Sequence, residues 1–133
     1  MGTNYYIVTE CKCCGNVNRE LHIGKSSAGW VFLLRLHPAD DIWSLYDWVL
    51  ILKKGSIRDE YGHKILPENM LYIITNRKWT KEREVPHPHK SWDEFHASNH
   101  SENGPNGLIR PKKGDRCLSH GDGTWSYIIG EFS

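Results

Sequence analysis

The chain has 133 residues, 38% of them hydrophobic and 25% charged, and its 17 Lys and Arg against 16 Asp and Glu leave a net charge of +1. That length builds one domain, 1–133, around a single modest core, and so even a charge balance excludes a global basic field that would draw the protein to nucleic acid. No apolar run approaches the ~20 residues of a membrane span, and "MGTNYYIVTE" has neither the basic region nor the apolar core of a secretory signal; the chain reads as intracellular, with no membrane partner.

"NYYIVTE" (4–10) alternates and is rich in β-formers, so it predicts a strand. "CKCCGN" turns the chain at Gly15 and Asn16. "ELHIGKS" (20–26) and "GWVFLLRLH" (29–37) predict two more strands, joined at Ser27, Ala28 and Gly29. The period then changes. In "ADDIWSLYDWVLILKKG", Ile42, Leu45, Tyr46, Val49 and Leu52 fall at helical spacing, with Asp40 or Asp41 as N-cap. Lys53 and Lys54 suit the C-terminal dipole, and Gly55 suits a left-handed stop.

"SIRDEYGHKI" predicts a hairpin turning near Tyr61 and Gly62. "LPENMLYIITNR" predicts a short helix from Pro67, a favoured first helical residue. "TKEREVPHPHK" is a polar loop. "SWDEFHASN" opens with the capping box Ser91 and Glu94 and predicts a two-turn helix. "HSENGPNG" breaks the chain, and "TWSYIIGEFS" closes it as a strand. The class expected is α+β: a small antiparallel sheet made from both chain ends, with two or three inserted helices, stabilised by zinc.

The zinc expectation comes from Cys11-x-x-Cys14-Gly and Cys117-x-x-His120, which together supply four ligands for a tetrahedral structural site. Paired terminal strands would bring the two halves together. Cys13 is left over; His22, His37 and His100 are rival ligands, and free buried thiols are the plain alternative.

"LHIGKSSAGW" contains the Gly-Lys-Ser tail of a phosphate loop. The first glycine of a Walker motif is missing, because Arg19 stands there, and the segment that follows is strand-like. What survives is a turn where Lys25, Ser26, Ser27 and Gly29 offer a cation, hydroxyls and backbone N–H groups to a phosphate, with Trp30 able to stack on a base. The alternative is a polar hairpin turn with a solvated lysine. "SHGDGTW" adds Thr124 and Trp125, with glycines that let a backbone approach a ligand. His22, His100, His120, Glu102 and Asp122 are candidates for metal-assisted or acid–base chemistry, but no pair has a recognised ligand spacing.

The strings "GTNYY", "CxxCG", "LHIGKSSAGW", "DEYG" and "GDGTW…GEFS" occur in one order along the whole chain. In this the sequence resembles a family of small uncharacterised bacteriophage and prophage proteins. The resemblance implies a phage protein acting on a host component in the bacterial cytoplasm, and such proteins often counter host defence. Binding of a phosphate-bearing nucleotide or signal is the leading expectation, through His22, Lys25, Ser26, Ser27, Trp30, His100, Thr124 and Trp125. An inhibitor that binds a host protein through an aromatic surface is the second, and a metal-dependent phosphodiester hydrolase the third.

Overall fold

A computed structural model describes residues 2–10, 18–80, 83–114 and 116–132. The first two β-rich runs form β1 (Gly2–Glu10) and β2 (Asn18–Ser27), each longer than the alternation alone indicates. The third forms β3 (Phe32–Leu36).

The first helix, α1 (Leu45–Leu52), starts later than its apolar spacing predicts. Ile42 is held in a two-way backbone bridge with His37, and Pro38 starts a 3-10 turn that ends at Asp40. Neither Asp40 nor Asp41 is therefore the cap. Ser44 is: its Oγ accepts from the Asp47 N–H at 3.3 Å. Gly55 is not a left-handed stop either. A Cβ there would lie 2.6 Å from the Val8 carbonyl oxygen, so the glycine lets the chain pass close to β1.

The hairpin follows as expected, β4 (Ser56–Asp59) and β5 (Lys64–Ile65), reversing through Gly62 at φ +87°. Pro67 opens α2 (Pro67–Thr75), and Ser91 caps α3 (Trp92–Asn99) by accepting from the Glu94 N–H at 3.1 Å. Three short strands lie where the sequence predicted only breaks or nothing: β6 (Ser101–Asn103), β7 (Ile109–Pro111) and β8 (Cys117–His120). The last strand is β9 (Trp125–Ile129).

Seven strands form one sheet in the order β5-β4-β1-β2-β3-β9-β8, and β6 pairs with β7 apart from it. The fold is α+β with a large, mostly antiparallel sheet built from both ends of the chain. One central pair, β3 with β9, runs parallel, in the register Phe32 to Trp125, Leu34 to Tyr127 and Leu36 to Ile129.

Alternation gives this sheet two different faces. On one, Ile7, Phe32 and Leu34 are fully buried beneath Trp48 and Leu52 of α1 and Met70 and Ile74 of α2. That is the main core, and each such side chain contributes roughly 1.5–3 kcal/mol by leaving water. On the other face the same strands present Asn4, His22, Arg35 and Ser126 beside Leu33 and Ile128. Near its β8 end this second face is covered by α3 and the β6–β7 hairpin, tied in by the bond from the Val31 N–H to the Ile109 carbonyl.

Candidate functional site

The bend after β2 and the start of β9 do come together, and what joins them is an arginine. Arg77 follows α2. Its guanidinium donates to the Ser26 hydroxyl, to the Ser27 carbonyl at 2.6 Å and, through Nε, to the Trp30 carbonyl at 2.9 Å. Its backbone N–H donates to Thr124 Oγ1, whose own hydroxyl donates to the Thr75 carbonyl at 2.7 Å. Arg83 adds a second guanidinium, donating to the Gly29 carbonyl at 2.8 Å and the Gly107 carbonyl at 2.6 Å.

The carbonyl oxygens of Ser27, Gly29 and Trp30 thus meet arginine N–H groups, while the Trp30 N–H bonds the Ser27 carbonyl, and the N–H groups of Val31 and Phe32, just after the bend, bond the Ile109 and Thr124 carbonyls. A loop with this polarity favours a cation, and the protein's own arginines meet it. Ser26, Ser27 and Thr124 are therefore drawn together around Arg77 with their hydrogen bonds internal to the chain.

The glycines of "SHGDGTW" have a packing reason. A Cβ on Gly121 would fall 2.0 Å from Trp125 Nε1, and one on Gly123 would lie 3.0 Å from the same indole. The Trp125 ring folds back over its own turn, on the helix-covered side of the sheet, and packs against the main core.

The other predicted residues gather on the polar face. A cavity of about 600 Å³ lies between the sheet and the α3 layer. Leu33 and Ile128 of the sheet line it, with Trp30 and Phe132 as aromatic walls, and His100, Lys112, Lys113 and Arg116 bring the basic groups. Among the described residues that line it there is no carboxylate; Asp115, between Gly114 and Arg116, lies outside the described residues. Trp30 also packs on Phe95 of α3, ring centroids 6.3 Å apart. His100 ends α3 in the left-handed region at φ +50°, clamped by its N–H to the His96 carbonyl and by its own carbonyl to the Lys112 N–H at 2.8 Å.

His22 adjoins this cavity rather than lining it. It is 7% exposed, its ring lies 4.8 Å from Phe132 and 5.1 Å from Tyr6, and its Nε2 bonds Asn4 Oδ1 at 2.9 Å. Burial, and then the positive charge of Arg35, push its pKa down to about 4, so the imidazole is neutral at physiological pH. Lys25 is in register with Leu33 on the same face.

Of the four expected zinc ligands, Cys11 and Cys14 lie outside the described residues, as does Cys13. Cys117 and His120 stand three apart, which in a regular strand would put them on opposite faces. A register shift next to Leu118 brings both onto the polar face, opposite Ile128 and Ser126. His120 Nε2–H donates to the Pro111 carbonyl at 2.8 Å, which leaves Nδ1 for another partner; burial pushes the Cys117 thiol pKa up. Among the described residues no three His, Cys, Asp or Glu side chains are grouped to hold a metal. Glu102 pairs with Arg110 at 2.9 Å, and that hydrogen bond holds its carboxyl below the usual range.

Lys112, Lys113 and Arg116 were not singled out in the sequence, although "RPKKGDR" (110–116) is a visible basic cluster. Phe132 and Arg77 carried no local signal. No protein-family model, curated protein or solved structure matches the chain. Among the described residues no helix is long and apolar enough to cross a membrane.

Proposed function

We propose that the chain binds a phosphate-bearing small molecule, a nucleotide in preference, in the cavity on the polar face of its sheet. In keeping with the resemblance of its motifs to phage proteins, it would act in the host bacterial cytoplasm and withhold that molecule from a host component. One observation carries the reading. Four basic residues and two aromatic walls meet in a space of about 600 Å³ with no carboxylate among its described lining residues. That volume is within the roughly 300–1,000 Å³ usual for small-molecule sites. Lys112, Lys113 and Arg116 supply charge and donors for phosphate, Arg116 in fork geometry. Trp30 and Phe132 supply flat apolar surface for a base, and His100 a polar group at the edge.

Isothermal titration of the purified chain against linear and cyclic nucleotides tests this. Micromolar or tighter binding is expected for at least one of them, weakened tenfold or more in Lys112→Ala/Lys113→Ala. Silence across the panel, or an unchanged affinity in that variant, removes the cavity from the function.

A second reading rests on a different surface. Trp43, Tyr46 and Leu50 are 54%, 71% and 47% exposed and follow helical spacing along and just before α1. Large exposed aromatics of this kind can anchor a protein partner, at ~2 kcal/mol or more each. Under this reading a host protein is captured from bacterial lysate by the wild-type chain and lost from Trp43→Ala/Tyr46→Ala; retention by that variant rules the surface out.

A further inference from the structure

The sheet floor of the cavity continues past the residues that line it. Cys117 of β8 is in register with Ile128 of β9, and Ile128 with Arg35 of β3, so the three form one row across the polar face. Neighbouring strands are ~4.8 Å apart, so Arg35 stands about 10 Å across the floor from Cys117 and the basic loop that leads into it. It is half-buried, and its Nε is buried without a hydrogen-bond partner. No ion pair is formed by it among the described residues.

This is an unusual state for a guanidinium, which stays charged in proteins and has five N–H groups to satisfy. A buried donor left unpaired is costly, and more so when the group is charged. The surroundings do not relieve it. His22, close by, is neutral and would add a like charge if protonated, so it offers no counter-charge. In the adjoining row Ser126 Oγ is also buried without a partner, while Ser126 itself is fully covered. Phe132 joins the two regions: it packs on His22 and also lines the cavity. The polar face therefore has one basic group at the β8 edge, around Lys112, Lys113 and Arg116, and a second at Arg35, whose Nε has no hydrogen-bond partner.

We propose that Arg35 is a second anion-recognising group of this site, and that the ligand carries two separated phosphates, as a dinucleotide does, rather than one. The inference rests on the nucleotide reading of the cavity and narrows it. The first phosphate is held by Lys112, Lys113 and Arg116, the apolar part of the ligand crosses Leu33 and Ile128, and the second phosphate takes the fork of Arg35.

Titration of the full chain with AMP and with the 5′-phosphorylated dinucleotide pApA tests it. Wild-type protein is expected to bind pApA at least tenfold more tightly than AMP, and Arg35→Met to bring that ratio near one. Arg35→Lys, which keeps the charge and loses the fork, is expected to fall between them. The melting temperature of Arg35→Met should be unchanged or raised, because an unpartnered buried donor is removed; a loss of more than a few degrees would give Arg35 a structural role and overturn the proposal. Tyr61→Ser, exposed in the β4–β5 hairpin at the other edge of the sheet, is expected to leave both affinities unchanged. A wild-type chain that binds AMP and pApA equally, or a ratio unmoved in Arg35→Met, overturns the two-phosphate inference and leaves the cavity as a nucleotide site. A wild-type chain that binds neither probe overturns both.

Discussion

Two polar regions meet on β2, β3 and β9, the bend at residues 24–30 and the cavity on the opposite face, and they have opposite polarity. The bend presents carbonyl oxygens, and Arg77 and Arg83 fill them. The cavity presents cations, and no carboxylate among its described lining residues answers them. A run of Gly, Lys and Ser reads in one dimension as an anion cradle, because it contains a cation, hydroxyls and freely turning backbone. Which backbone groups point inward decides the matter, and that depends on where N–H groups from the same turn find partners. Here the Trp30 N–H is taken by the Ser27 carbonyl, and the Ser27, Gly29 and Trp30 carbonyls meet arginine N–H groups. The filled region is structural, and the unfilled one is available to a ligand.

Removing the internal cation gives the largest effect. Arg77→Ala strips the Ser27 and Trp30 carbonyls and the Ser26 hydroxyl of their donor at once, and a loss of about 4 kcal/mol in urea-unfolding stability is expected, since breaking a buried charged contact commonly costs 3–5 kcal/mol. A loss under 1 kcal/mol would place the bend among the sites free to accept an outside ligand and blur the contrast.

A smaller effect is expected at the edge of the cavity, and it depends on pH. His22 is neutral in the fold down to about pH 4, but in the unfolded chain it takes up a proton near 6.5. Between those values the unfolded state binds more protons, so stability rises with pH across the window and is lost as pH falls from 6.5 to 4. The loss is at most about 3 kcal/mol. Stability curves at pH 7, 5.5 and 4 measure it, and His22→Gln should flatten that part of the slope. An unchanged slope would mean that His22 is as solvated as in the unfolded chain, and that the polar face is more open than its burial indicates.

The α+β class, a sheet that draws on both chain ends and all three helices were legible because they rest on periodicity: apolar residues at helical spacing, Pro67 at a first turn, Ser91 with Glu94 as a capping box. The expected pairing of the terminal strands does not occur, because β2 and β3 lie between β1 and β9. Boundaries were less so. Ser44 rather than Asp40 caps α1 because the bridge between His37 and Ile42 holds the chain until that point, and this is a tertiary contact. Strands β6, β7 and β8 escaped notice because three or four residues are too few to establish an alternation. For the site, Trp30 and His100 were named and line the cavity. Its cations lie in "RPKKGDR", a cluster the sequence does display but which has meaning only once β8 folds it toward Leu33 and Ile128. Arg35 had no signal at all: it reads as the polar residue of an alternating strand, and only the absence of a partner around its Nε sets it apart.

The parallel pairing of β3 with β9 has a consequence in time. Because β9 is made well after β3 and must return to lie beside it, half of the cavity floor is missing until β9 itself has been made. Closing so distant a contact is slow compared with forming the β1–β2 hairpin. A nascent chain would therefore hold a folded β1–β2 pair well before the cavity is complete.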